Sequence, residues 1–427
     1  MKAENREKQI LRIKSASFHP QMSKTLENKL RLNVISTVRN TIEFALIEEL
    51  LADREKMLIF PRRSGYYPRI LNTQYGQISD LRVPKLRSSN KERKWRILER
   101  YEKNVVGMLA YASYLYVMGL SIRDLQMALY FLLGTILSTT AINRVTLKVQ
   151  KRLDEERLCK IDQTPIALIV DGVWVSVQYN LDGFLIDKSG HKRHKRKAED
   201  RVLLAVMALC ADGSSYILHY EIAEDENEAT WKALFEHMLE RGLLPEAVQL
   251  VVSDGSKGLL AAMKEHLPNA KQQRCITHKV RGMNRYLTYQ NLPDTDEDGN
   301  LLTAENAKRR HWYQLKRDAY AIYDEPSLSE AKAKLETFVD KWKPVEPKAI
   351  HAFLWGIQRT FVFYDFDKKL LPAIRTTNLL ERFFRVFRTK ADEIGAFPNE
   401  TSCLTLFLVV ANFDHAKHNR LPVANTL

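Results

Sequence analysis

Three carboxylates stand where a chain could put them to chemical use. Asp171 follows the apolar run Ile166–Val170 and precedes Gly172; Asp254 follows Val251, Val252 and Ser253 and precedes Gly255. An aspartate where a buried strand meets its exit places a carboxylate at the open end of a sheet, where α/β domains gather ligands. An Asp-Gly pair also makes a turn on its own account, and either aspartate taken alone reads that way. Two such pairs on core-type strands of one domain shift the balance towards a site. The third carboxylate is Glu381, in RTTNLLERFFRVFR (375–388). On a helix, Leu380, Phe383, Phe384 and Phe387 share one apolar face, and Glu381, Arg385 and Arg388 form a second stripe with Asn378 at its edge. Thr376 or Thr377 is a candidate N-cap. A surface Glu–Arg pair at i,i+4 would account for Glu381 with Arg385, but not for Arg388 extending the stripe.

Two carboxylates on strands and one on a helix packed against them form a donor set for two-metal phosphoryl transfer. Mg²⁺ is a hard cation that takes few protein oxygens, and a pair of such ions can serve both the attacking and the leaving oxygen. The flanking arginines suit bidentate contact with phosphate. Spacing alone does not single out this triple, because a chain with 52 acidic residues contains many.

The elements that would hold these residues can be read around them. PIALIVDGVWVSV, RVLLAVMALCADGSSYILHYEI and VQLVVSDG are rich in β-branched and aliphatic residues bounded by turn signals. ENEATWKALFEHMLERGL between them is an amphipathic helix. The order strand, strand, strand, helix, strand, helix, strand predicts a mixed α/β domain. Residues 281–370 turn helical, with PDTDEDGN (293–300) as a solvated acidic loop. Upstream, 24–57 reads as one long helix with an apolar stripe of Leu26, Leu30, Leu32, Ile35, Val38 and Ile42. GYYPRILNTQYGQISDLRVPKLRSSN reads as a small β-element and linker. Residues 99–158 contain two candidate helices, the second with a basic face of Arg144, Lys148, Lys151 and Arg152. They fit a helix-turn-helix or an ordinary helical hairpin.

The formal charge is +14, from 66 Lys and Arg against 52 Asp and Glu, with a pI of about 9.4. A basic chain of this size is drawn to polyanions, nucleic acid first among them. The clusters Arg62–Arg63, KERKWR (91–96), HKRHKRK (191–197) and Lys308–Arg310 each read singly as solvated surface or loop. Spread along the chain, they suit a long DNA track. MKAENREKQI at the start carries no apolar signal core, and runs such as LTLFLVV (404–410) fall short of a membrane span. The four cysteines show no disulfide framework, so reduced thiols in a cytoplasmic compartment are expected.

Several ordered blocks resemble the Mutator-type transposases of bacterial insertion sequences. They are GYYPRILNTQYGQISDLRVPKLR, ENEATWKALFEHMLERGL with its Trp231, LVVSDGSKGLLAAMKEHLPNAKQQRCITHKVRG, and TTNLLERFFRVFRTKADEIGAFPNE. The resemblance implies a ribonuclease-H-like catalytic core interrupted by a helical insertion, with an N-terminal mostly helical DNA-binding region. It carries the catalytic and metal-binding triad over as Asp171, Asp254 and Glu381, with Mg²⁺ (or Mn²⁺) as cofactor. Cys275 and His278 match the family's Cys-x-x-His. Four ligands are required for structural zinc and no second pair sits at suitable spacing, so Cys275 reads as a packed thiol and His278 as a contact near the site or the DNA. Arg281, Arg385, Arg388, Arg144 and Lys148 are the further DNA contacts expected, and Trp231 is structural. Ser176, Gly282 and Phe384 depart from the family pattern.

The implied organisation is 1–60 helical, 61–98 β-element and linker, 99–158 DNA-binding, 159–280 first part of the core, 281–370 insertion, and 371–427 core completion with the glutamate helix. The implied activity is binding of terminal inverted repeats, metal-dependent strand cleavage and strand transfer into target DNA. It would be carried out by a homodimer on paired ends, without a membrane. The alternatives are a catalytically inactive DNA-binding repressor or architectural protein of the same fold, and a structure-specific nuclease that needs no paired ends.

Overall fold

A computed structural model describes residues 22–56, 62–87 except Gln74, scattered positions between 95 and 164, 165–290 except 187–189, positions 292 and 295, and 301–417. The chain divides into two compact units, Met1–Val149 and Gln150–Leu427.

In the first unit, helix α1 (Met22–Lys56) is followed by an antiparallel pair, β1 (Arg63–Thr73) and β2 (Gly76–Leu86). Ile35, Val38, Ile42, Leu46 and Leu50 recur at helical spacing and pack on Leu71, Ile78, Leu81 and Val83. The stripe expected to begin at Leu26 is covered only from Ile35 on: Leu26, Leu30 and Leu32 are exposed. Arg39 pairs with Asp80, and Glu43 accepts the Arg82 backbone N–H, which fixes the helix against β2. Most of the expected helix-turn-helix, including Arg144 and Lys148, lies outside the described residues.

The second unit is built on a sheet of order β5-β4-β3-β6-β7. β3 (Ala167–Ile186), β4 (Lys192–Leu209) and β5 (Ser215–Ala223) are antiparallel; β6 (Leu250–Ser253) and β7 (Lys271–Arg274) run parallel to β3. Helix α2 (Glu228–Glu240) connects β5 to β6, and α3 (Lys257–His266) connects β6 to β7. This is the ribonuclease-H-like arrangement, a mixed sheet flanked by helices. Along β3 and β4, Leu168, Val170, Val202, Leu204, Val206 and Ala208 point to one face and pack on Trp231, Leu234, Phe235 and Met238 of α2 and Leu259, Ala262 and Met263 of α3. Asn227 caps α2 through a capping box with Thr230. A Cβ on Gly258 would stand 2.6 Å from the Glu228 backbone nitrogen, so this glycine lets α3 approach the start of α2.

After β7 the chain enters α4 (Ile276–Gly282) and then α5 (Ala304–Ala321), α6 (Leu328–Trp342) and α7 (Pro347–Leu354). The fully buried Glu346 ties this segment together by accepting the N–H groups of Thr288 and Tyr289 and a bond from His311 Nε2. Burial pushes its carboxyl up, but those donors outweigh it and hold the group below the ordinary range. Helix α8 (Asn378–Ile394), strand β8 (Ala396–Phe397) and α9 (Glu400–Lys417) then return to the sheet. β8 pairs with Ser176–Val177 of β3, and Phe407 of α9 lies 4.6 Å from the ring of Tyr220 on β5.

Candidate active site

β3 pairs with β6 only at Ala167–Ile169, in register with Leu250–Val252. Continuing that register brings Asp171 level with Asp254, one residue past the end of β6, with neighbouring strands about 4.8 Å apart. The expectation that Asp171 ends its strand is corrected: β3 runs on to Ile186 beside β4. What ends at that level is β6, and the gap it leaves opens the sheet next to Asp171. The turn reading fails for Asp171–Gly172 and holds for Asp254. There Gly255 sits at φ +83 and the Asp254 carboxylate accepts the Ser256 N–H at 2.9 Å.

Alternation along β3 turns Asp171 to the face opposite the α2–α3 core, and α8 packs on β3 from that side. Leu380, Phe383, Phe384 and Phe387 are all buried, the last three around Phe407. Burying such side chains contributes about 1.5–3 kcal/mol each. The ion pairs of Glu381, 3.8 Å to His278 and 3.5 Å to Arg281, are partly solvated and contribute about 0–1 kcal/mol each. The phenylalanines therefore position the helix, and Glu381 goes where they put it. Thr377 is the N-cap residue, but its hydroxyl does not cap; it donates to Glu381 Oε1 at 3.1 Å and lies 3.5 Å from Cys275 Sγ. The surface pair between Glu381 and Arg385 does not form among the described residues; Arg385 and Arg388 are exposed along α8.

The electrostatics tie the three carboxylates together. Asp171 is pushed up to about 6, first by burial and further by the charges of Asp254 and Glu381, against the pull of His278 and the Gly172 N–H. His278 is raised to about 9, chiefly by the Cys275 sulfur beside it and then by Asp171 and Glu381, against burial. Cys275 is fully buried, and burial raises its thiol, but His278 and Thr377 outweigh that and lower it. At neutral pH His278 is thus an imidazolium facing the carboxylates. Cys275, His278 and Glu381 have ligand atoms within 4.8 Å of one another. Sulfur and imidazole suit softer metals than Mg²⁺, and the hard-cation ligands nearby are the carboxylates of Asp171, Asp254 and Glu381.

A fourth carboxylate joins it that the sequence reading missed. A Cβ on Gly172 would stand 2.3 Å from Glu226 Oε1, so the glycine makes room for this side chain just ahead of α2. Burial, then Asp254 and Asp171, push the Glu226 carboxyl up to about 7. Partly buried carboxyls raised by neighbouring carboxylates, as Asp171 and Glu226 are, form a fitting environment for a divalent cation of the Mg²⁺ type. A separate trio, His219, Glu221 and His237, also comes together on β5 and α2. There Arg241 donates to His219 Nδ1 at 2.7 Å, leaving Nε2 to donate to Glu221 at 2.8 Å. A guanidinium in that place opposes a cation, and the trio reads as a hydrogen-bond chain.

Beside Asp254 opens a cavity of about 960 Å³, lined also by Arg274, His278, Arg285, Tyr286, Lys348 and Trp355. Arg274 donates to the Asp254 carbonyl at 3.1 Å and its guanidinium lies 5.9 Å from the Trp355 ring. Lys279 donates to the carbonyls of Ala352 and Trp355, tying α4 to the end of α7; burial, then Arg274 and Arg359, push its ammonium down to about 7. Arg274, Trp355 and Glu226 carry no spacing signal, since each reaches the site from a different element. Trp231 is buried in the core under the sheet. Of the departures from the family pattern, Ser176 lies where β3 meets β8, and Phe384 is part of the packed face of α8.

The family described as transposase, Mutator family, matches residues 6–298 and 299–420. The transposase for insertion sequence element ISRM5 of Rhizobium meliloti is 29% identical over 83% of this chain and 79% of its own length. The transposase for IS256 in transposon Tn4001 of Staphylococcus aureus is 24% identical over 91% of each. Among solved structures, the Drosophila P element transposase strand transfer complex aligns with 72% of this chain and 91% of that chain, at 12% identity and a TM-score of 0.40. With the family matched along nearly its whole length, this chain belongs to the Mutator family of transposases.

Proposed function

We propose that this chain is an active DNA transposase whose strand cleavage and strand transfer take place at Asp171, Asp254 and Glu381. The observation that supports this reading most is the convergence of three sequence-distant carboxylates at the gap where β6 stops, with Asp254 and Glu381 both close enough to raise the Asp171 carboxyl. Asp171, Asp254 and Glu381 would hold Mg²⁺, or Mn²⁺ in its place. Once bound, it supplies positive charge against the transferring phosphate and the leaving oxygen. His278 and Arg281 keep Glu381 turned towards the aspartates. Arg274 and Lys348, on the cavity wall, are placed to meet phosphate oxygens, and the exposed Trp355 and Tyr286 offer faces on which a base can stack. The carboxylates act as ligands and not as nucleophiles, so no covalent protein–DNA intermediate forms. The N-terminal unit, with Arg144 and Lys148, binds the terminal inverted repeats, and a homodimer brings two ends together.

The test is junction formation on a plasmid carrying the gene's own flanking DNA. Wild type is expected to excise or join the ends, and Glu381→Gln to bind them without cutting. Loss of binding along with cleavage would make Glu381 structural. End binding by both proteins with no product from either would favour the repressor reading.

A further inference from the structure

β3 and β4 outrun the sheet they belong to. Past the β8 contact at Val177 no third strand is paired with them among the described residues, yet the two continue side by side to Ile186 and Lys192. Residues 180–186 and 191–198 are exposed without a break. Seven residues of strand span about 23 Å, comparable to the width of a duplex. A two-stranded ribbon of this kind is marginal alone, and its root is braced. The Arg201 guanidinium lies 4.7 Å over the Tyr179 ring and reaches Glu199 at 2.8 Å, and Tyr179 donates to Glu400. Farther out, the Phe184 ring meets that of His194 at a tilt, centroids 4.3 Å apart, with the Lys192 ammonium 4.1 Å from the Phe184 ring.

The β4 side of the ribbon carries Lys192, Arg193, Lys195, Arg196 and Lys197, which alternation distributes to both faces. Lysines on an exposed edge also discourage strand–strand aggregation, but that purpose does not call for Phe184, Leu185 and Ile186 opposite them at 46%, 56% and 77% exposure. Basic flanks with an apolar end match a duplex groove, where phosphates line the walls and base edges, thymine methyls among them, form the floor. The major groove is wide enough for a two-stranded ribbon. Between Asn180 and Phe184 three residues face one, with Gly183 at φ +97, a bulge that bends the ribbon.

We propose that the hairpin arm Asn180–Ile186 with Lys192–Ala198 is a duplex-DNA-binding ribbon that enters a groove away from the site of chemistry. Asp171 lies on the same strand nine residues before Asn180, at most about 30 Å along it, so the arm meets the duplex about one helical turn from the carboxylates. This rests on the transposase reading and adds to it the surface that holds the flanking duplex.

The test compares the full-length wild type with the combined variant Lys192→Gln, Arg193→Gln, Lys195→Gln, Arg196→Gln. Both are titrated without divalent metal against a fluorescent 40-base-pair duplex over a range of salt. With four phosphate contacts gone, the slope of log affinity against log salt is expected to flatten by about 3.6, and affinity near 0.1 M salt to fall more than a hundredfold. A photo-crosslinking residue at Ile186 in an otherwise unchanged chain is expected to join to DNA bases. An unchanged slope in a variant with wild-type Tm overturns the arm's role alone, as does a crosslink to a second copy of the protein in place of DNA. Failure of wild type to bind any duplex overturns both the arm and the transposase reading.

Discussion

Replacing Glu226 with glutamine takes one negative charge from the carboxylate group while keeping the volume that Gly172 accommodates. In the folded chain the Glu226 carboxyl sits at about 7, through burial first and then Asp254 and Asp171. Such a group is about one-tenth ionised at pH 6 and about nine-tenths at pH 8. A divalent cation among these residues favours the ionised form, so binding at pH 6 must expel a proton that is already gone at pH 8. From Glu226 alone, wild-type affinity for Mn²⁺ should rise up to about tenfold between those pH values. Asp171, at about 6, adds roughly another factor of two. Glu226→Gln should keep the twofold part and lose the tenfold part. Mn²⁺ binding to the full chain without DNA, followed by electron paramagnetic resonance at pH 6, 7 and 8, reads this directly. The metal-free protein gives a second measure. The Glu226 carboxyl is raised from 4.5 to about 7 by folding, so its contribution to stability is present below 4.5 and lost as pH rises through 7. Wild type should lose stability over that window relative to the variant. Equal pH dependence of Mn²⁺ affinity in the two proteins would refute the claim that Glu226 belongs to the charge group.

Two other perturbations test the frame of the site. Phe387→Ala should destabilise the second unit by about 3–5 kcal/mol in urea unfolding, because its ring is fully buried against Phe407 and Phe397; a loss below about 1 kcal/mol would mean that α8 is held some other way. Cys275→Ala should move the His278 titration down from about 9, because the sulfur is the largest support of the imidazolium and burial then opposes what Asp171 and Glu381 supply. Imidazole chemical shifts measured from pH 5 to 10 follow this, and an unmoved His278 would remove the sulfur from the account.

Local patterns were legible from the sequence where burial imposed a period. The face of Leu380, Phe383, Phe384 and Phe387 was readable because a helix packed on one side must repeat its apolar residues, and Asp254 was readable as strand, turn and carboxylate at once. The reach of β3 was not, because past Tyr179 the arm buries nothing and so leaves no alternation. HKRHKRK, which reads as a solvated surface or loop, is solvated strand from Lys192 on. Glu226 lay in an acidic run, EDENEATW, that carries no sign of which carboxylate turns inwards. Its place depends on a missing Cβ at Gly172, 54 positions away in a different element. The partners of Glu381 were hidden for the same reason: Arg385 is the neighbour along the helix, but α4 brings Arg281 and His278 nearer in space.

The route of the chain through the insertion also orders events in time. Both aspartates and the ribbon are synthesised well before Glu381, and β8, which completes the pairing of β3 beside the arm, comes later still. At the usual rate of about 5–20 residues per second, the ribosome takes on the order of ten seconds to travel from Asp254 to Glu381. A nascent chain, or one cut short by a premature stop in the insertion, would therefore present the basic surfaces without the third carboxylate. Such a fragment would also lack Phe383, Phe384, Phe387 and Phe407, which pack on one another, so the site and the packing that holds it are completed together, at the end of synthesis.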